Sequence, residues 1–292
     1  MVQDTIASVA TASEKKHALL GTSLPRYLVL SALAGAYVGL GIALIFAIGA
    51  PLSAANSPFL KVVMGASFGV ALTLVMFAGS ELFTGNAMVL TIGALTGKSK
   101  LSQLAAVWGW SYLGNLIGSL GLAWLIAQSG ALGGDPQRGF IESVATAKMN
   151  LPFGAALARG ILANWLVCLA VWCAMRATHE VTRLVLIFWC LFAFIGAGFE
   201  HSIANMTLLG IALFQPHGEA VTWAGYLQNL VPVTIGNIIG GAFMVAGLYW
   251  FASPLKDNAA APAPIPAPAP AAPPALEPAR ASLAATTEPA AS

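Results

Sequence analysis

Charge is what this chain has least of. Asp, Glu, Lys and Arg make up 8% of its 292 residues against 58% hydrophobic ones, and a mean hydropathy of +0.80 excludes a surface that water could wet. Cysteine is scarce as well. Cys168, Cys173 and Cys190 all lie in apolar stretches without a metal-ligand cluster around them, so they read as small buried hydrophobes, and no metal or cofactor is expected. A net charge of +2 is too small to favour nucleic acid or an acidic partner. Histidine is rare, and of the four present only His201 falls within the apolar interior. A cleavable signal peptide is not evident: the first 27 residues are polar or mildly amphipathic, and the apolar run after them is too long for a signal core.

What is present is length of apolar sequence. Runs of about 18 residues or more mark membrane-spanning helices, and six are found, at 28–48, 62–95, 101–127, 153–175, 184–214 and 224–251. The second and fifth exceed one simple span and are read as pairs of half-helices joined by an irregular break. The chain is therefore expected to be an all-α polytopic membrane protein. Its regions are an N-terminal cytoplasmic segment (1–27) with a short amphipathic helix near 4–20, a six-helix transmembrane domain (28–252) and a disordered Pro/Ala-rich cytoplasmic tail (253–292).

Orientation follows from Lys and Arg in the loops. Lys15, Lys16, Arg26, Lys98, Lys100, Arg176, Arg183 and Lys256 fall on one side, and Lys61, Arg138 and Lys148 on the other. The richer side is the cytoplasmic one, which places both termini inside.

Both long segments carry the pattern Ala-Gly-x-Glu-x-x-x-x-Asn, as Ala78-Gly79-Ser80-Glu81 to Asn86 and as Ala197-Gly198-Phe199-Glu200 to Asn205, 119 positions apart. A carboxylate at that depth is costly, and a break in a helix cannot leave its backbone unpaired against lipid, so both belong in a protein-lined, partly aqueous cavity. A second match joins Leu113-Gly114-Asn115 to Ile235-Gly236-Asn237 at an offset of 122. Chance likeness between Gly-rich helices is the competing explanation, but it does not account for the glutamates. Two matches imply a duplicated unit of three spans, inverted because three is odd, with a site at the repeat interface.

In each break the following half-helix offers amide groups and a positive dipole end to the interior, which suits a monovalent anion. Glu81 and Glu200 are expected to cap those amides, with direct contact to the passing ion as the alternative. His201, at the second break beside a carboxylate, is placed to exchange a proton, the alternative being a satisfied core histidine. Thr84, in the first break, offers a hydroxyl. Phe68, Leu72, Leu82, Phe83 and Phe194 flank the breaks and either narrow a dry passage or simply pack.

These residues resemble those of the formate/nitrite transporter family. The likeness rests on Glu81-Leu82-Phe83-Thr84-Gly85, Asn164-Trp165-Leu166-Val167-Cys168-Leu169-Ala170, Gly198-Phe199-Glu200-His201-Ser202-Ile203-Ala204-Asn205-Met206 and Gly236-Asn237-Ile238-Ile239-Gly240, and covers about residues 25–252. Ala34-Gly35-Ala36-Tyr37-Val38-Gly39-Leu40-Gly41 is most similar to the nitrite branch. The resemblance implies a homopentamer of aquaporin-like protomers in a bacterial inner membrane, each with its own pore. It also implies a central histidine at His201, a loop threonine at Thr84, a supporting asparagine at Asn164, constrictions at Phe68, Leu72, Leu82, Phe83, Val167 and Phe194, and a vestibule lysine at Lys148.

The expected function is conduction of nitrite and related small monovalent anions, with protonation at His201. Alternatives are a passive channel for formate, acetate, lactate or hydrosulfide, and an aquaporin-like pore for neutral solutes, for which the Asn-Pro-Ala motif is missing. An intramembrane enzyme is disfavoured because Glu-His-Ser-Ile-Ala-Asn is not the spaced His-Glu-x-x-His of a zinc protease.

Overall fold

The computed structural model describes residues 2–253, and the expected tail, apart from Ser253, lies outside the described residues. The regular secondary structure of these residues is entirely helical, with no strand among them. In chain order the helices are α1 (Val2–Thr22), α2 (Leu24–Ala54), α3 (Leu60–Ser67), α4 (Gly69–Phe77), α5 (Phe83–Leu95), α6 (Leu101–Ser129), α7 (Gln137–Met149), α8 (Phe153–Arg176), α9 (Glu180–Ala197), α10 (Ser202–Phe214) and α11 (Trp223–Ile238). A π-helical stretch, Ile239–Gly247, and the short α12 (Leu248–Phe251) complete the last span. Six spans are long and apolar enough to cross a bilayer: α2, α3 with α4, α6, α8, α9, and α11 continued to Phe251. Helices α5 and α10 are shorter apolar pieces that complete the two broken spans.

The breaks form for the same reason in both copies. Gly79 and Gly198 each adopt φ +76°, a left-handed conformation that costs a residue with a Cβ about 1–2 kcal/mol. The amide that follows then donates back five residues, Ser80 to Val75 O at 3.1 Å and Phe199 to Phe194 O at 3.2 Å, which ends the helix cleanly. The chain continues extended through Leu82 and His201 before the next half-helix starts.

The first span of each repeat holds its break in place. Glu81 N donates to Leu30 O in α2, and Glu200 N donates to Arg159 O in α8, both at 3.2 Å. Close crossings join the outer spans of each unit: Gly160 of α8 lies against Val233 and Gly236 of α11, with no room for a Cβ on either glycine.

The duplication extends beyond the three spans. Each unit opens with a short amphipathic helix, α1 in the first and α7 in the second. Ile6, Val9 and Ala10 of α1 are buried, and α1 packs chiefly on α5; Ile141, Ala145 and Met149 of α7 are buried, and α7 packs on α2 and α10. Where the units differ is the last span. Helix α6 is regular, whereas its counterpart turns π-helical just beyond Asn237, a local irregularity common at functional sites.

Candidate functional site

Asn115 and Asn237 assemble the breaks. Asn115 accepts from Phe83 N at 2.9 Å and donates to Ser31 O at 2.7 Å and Glu81 O at 2.9 Å. Asn237 accepts from Ser202 N at 2.8 Å and donates to Gly160 O at 2.8 Å and Glu200 O at 3.0 Å. Each fully buried amide thus joins the first helix, the break and the second half-helix of its own repeat. The repeat match had drawn attention to both asparagines, but only the packing of α6 and α11 against the breaks reveals this task.

The expectation that Glu81 and Glu200 cap the half-helices is therefore corrected. The amides they were to satisfy are taken by Asn115, by Asn237 and by His201, whose Nδ1 accepts from Ala204 N at 3.2 Å. The carboxylates turn instead toward lysines. Glu200 accepts from Lys148 Nζ at 2.7 Å and from Asn205 Nδ2 at 2.6 Å. Glu81 accepts from Lys16 Nζ at 2.8 and 2.9 Å, from Asn86 Nδ2 at 3.1 Å and from the Tyr27 hydroxyl at 3.4 Å. Isolated carboxylates this deep would be prohibitive; a paired and fully hydrogen-bonded one is not.

Lys16 was read from the sequence only as a topogenic charge, yet it is the counterpart of Lys148, 132 positions earlier. The signal was available: each lysine lies near the end of an amphipathic segment preceding the first span of its repeat.

The two ion pairs face two vestibules. One, of about 390 Å³ on the α7 side, is lined by Lys148, Glu200, His201 and Asn205; the other, of about 440 Å³ on the α1 side, by Lys16, Glu81, Gly85 and Asn86. Between them lies a neck of only about 10 Å³, lined by His201 and by the side chains of Val38, Phe68, Ala71, Leu72, Leu82, Val167, Leu191 and Phe194. That volume is about one water. Phe194 and His201 border both the neck and the α7-side vestibule, while Leu72 and Leu82 border both the neck and the α1-side vestibule. Phe68 and Phe194 meet edge to face with centroids 5.6 Å apart.

Five of the six predicted constriction residues thus line the neck. Phe83 does not: its ring lies edge-on to Tyr112 and Trp108 of α6, because its position at the first turn of α5 directs it toward the helix that holds its amide. Val38, Ala71 and Leu191 were missed, being unremarkable apolar residues in apolar helices.

At the neck, His201 Nε2 stands 3.0 Å from Thr84 Oγ1, with both residues buried. Because Nδ1 accepts an amide, a neutral ring carries its proton on Nε2 and donates it to the threonine oxygen, leaving the hydroxyl hydrogen free to donate elsewhere. Asn164 supports Thr84 from behind, donating to Thr84 O at 3.1 Å and to Asn237 O at 2.6 Å. The asparagine thereby ties the threonine-bearing half-helix of one repeat to the last span of the other.

Two wide, lysine-bearing vestibules meeting at a dry neck bordered by His201, with Thr84 hydrogen-bonded to it, define a channel-type membrane transport protein. The chain belongs to the formate/nitrite transporter family, whose family model matches residues 3–251. Among its relatives, the nitrite transporter NirC of Escherichia coli is 44% identical over 261 residues, 89% of this chain and 96% of that one. NirC of Salmonella typhimurium is 44% identical over 265 residues, 91% and 97% of the two chains. Among solved structures, an FNT family ion channel superposes with a TM-score of 0.82 at 44% identity, covering 86% of this chain and all of the other. A pentameric formate channel with formate bound gives 0.70 at 27% identity, covering 79% and 98%.

Proposed function

We propose that this protein conducts nitrite, and related small monovalent anions such as formate, across a bacterial inner membrane, through one passage in each subunit of a homopentamer. The observation that carries the reading is the His201–Thr84 pair at a neck too small for a hydrated ion. The 44% identity to nitrite transporters favours nitrite, and the pentameric formate channel supports the assembly. With the lysine-rich side cytoplasmic, the α1-side vestibule opens inward and the α7-side vestibule outward.

An anion reaching the neck loses its water and meets the His201–Thr84 pair: the Thr84 hydroxyl hydrogen donates to it, and the Nε2–H of His201 does so once it leaves the threonine oxygen. A bare charge in so apolar a passage is strongly disfavoured. Protonation at this point, from His201 or from water alongside it, lets the anion cross as a neutral acid.

One observation favours the route through water. A proton given up by Nε2 must be regained at Nδ1, which already accepts the Ala204 amide, so relay through the ring requires that cap to open. In the second reading His201 therefore stays neutral and orients the anion, which then permeates alone.

Purified pentamer in liposomes distinguishes these. His201→Ala is expected to lower nitrite flux about tenfold or more, one hydrogen bond to a charged group contributing about 1.5–3 kcal/mol. Simultaneous recording of current and of proton uptake then decides the mode: one-to-one transfer carries no current, and passive permeation does. Unchanged flux and unchanged pH dependence in a correctly assembled His201→Ala protein sinks the role given to this residue.

A further inference from the structure

The vestibule lysines are not free charges. Lys148 is bound to Glu200 and Lys16 to Glu81, so each pair is close to neutral as seen by an approaching ion. Beyond the pairs, the two vestibules differ. The α1-side cavity is lined by no other charged residue, whereas the α7-side cavity is also lined by Lys61, at the start of α3, and Arg159, in α8. Both are exposed, and neither forms an ion pair or donates a side-chain hydrogen bond among the described residues.

We infer that Lys61 and Arg159 form a capture site for small monovalent anions at the mouth of the α7-side vestibule, and that the opposite mouth has none. The inference rests on the channel reading above and adds a property to it. The two cations come from different repeats and border one concave space whose remaining wall is largely apolar, through Leu60, Met64 and Phe199. Low-dielectric walls focus the field of charges they enclose, which raises the local anion concentration and the rate of capture. Being exposed, the pair is screened by salt. Capture from the α7 side is therefore faster at low ionic strength than from the α1 side, without any change in the equilibrium across the membrane.

The test uses the full chain, reconstituted in liposomes with its sidedness established, and follows initial nitrite flux in each direction at low and high salt. The variant is Lys61→Gln with Arg159→Gln. Flux from the α7 side at low salt is expected to fall roughly threefold to tenfold, near the lower limit of electrostatic focusing because both groups are solvated. The deficit narrows at high salt. Low-concentration flux from the α1 side falls by the same factor, as an unchanged equilibrium requires, whereas the half-saturating nitrite concentration rises on the α7 side and less on the α1 side. Arg138→Gln removes an equal charge from the same side, but Arg138 is paired to Asp135 and does not line the cavity, so it should leave the rates alone. Lys61→Arg with Arg159→Lys keeps the charges and should keep the rates.

An equal rise in the half-saturating concentration on both sides, a salt-independent deficit or no deficit overturns the capture site. Failure of the wild-type protein to pass any small anion is a different result, and it overturns the channel reading itself.

Discussion

Removing Lys148 alone should harm conduction more than removing the whole Lys148–Glu200 pair. Lys148→Met leaves Glu200, whose side chain is 3% exposed, as a bare carboxylate at the threshold of the anion path. For an anion about 6 Å away and an effective dielectric of about 20, the repulsion is about 3 kcal/mol, or about a hundredfold in occupancy. Breaking a buried pair also destabilises the fold by about 3–5 kcal/mol, here toward the lower value because Lys148 is 18% exposed. Adding Glu200→Gln removes the stranded charge, keeps an acceptor for Asn205 Nδ2, and returns the vestibule to neutrality. Stopped-flow nitrite uptake into liposomes should therefore rank wild type first, the double variant next and Lys148→Met last, with the two variants separated by tenfold or more as the signature of about 1.4 kcal/mol. If Lys148 acts instead as a free attracting charge, the double variant recovers nothing. Equal flux in the single and double variants would refute the reasoning.

Two further outcomes follow from the same geometry. Asn115→Ala and Asn237→Ala each delete three hydrogen bonds to buried backbone groups, so each should cost about 3 kcal/mol or more and lower the thermal midpoint in detergent by similar amounts, the two hubs being equivalent. Val38→Ala with Leu191→Ala enlarges the neck without touching His201 or Thr84, and should raise lactate flux relative to formate in paired liposome assays; an unchanged ratio removes these residues from the selectivity argument.

The fold was largely legible because its determinants are local. Low charge, six long apolar runs and glycines at the two breaks are properties of short windows of sequence, and the spacing of Glu81 from Glu200 and of Asn115 from Asn237 discloses the duplication without any contact map. The observed spans begin and end within six residues of the apolar runs. His201 and Thr84 were readable as candidates, being polar residues at two breaks that share only Ala, Gly, Glu and Asn. In the repeat, however, Thr84 stands against Ile203 and His201 against Leu82, so their approach to 3.0 Å was not readable.

Partnership was not legible. The sequence places two glutamates before two half-helices, and local geometry alone makes them plausible caps; only the arrival of α6 and α11 at the breaks gives those amides to Asn115 and Asn237, freeing the carboxylates for lysines far away in sequence. Side-chain direction was equally out of reach. Phe83 follows Leu82 in the chain, yet one ring packs on α6 and the other residue lines the neck, a distinction set by how the helices rotate against one another. The sequence by itself therefore determined the elements, their duplication and the atoms available for the chemistry, because these depend on residue type and period. Only tertiary structure decided which charge meets which, and which apolar face closes the path, because those depend on contacts between elements far apart in the chain that no local pattern encodes.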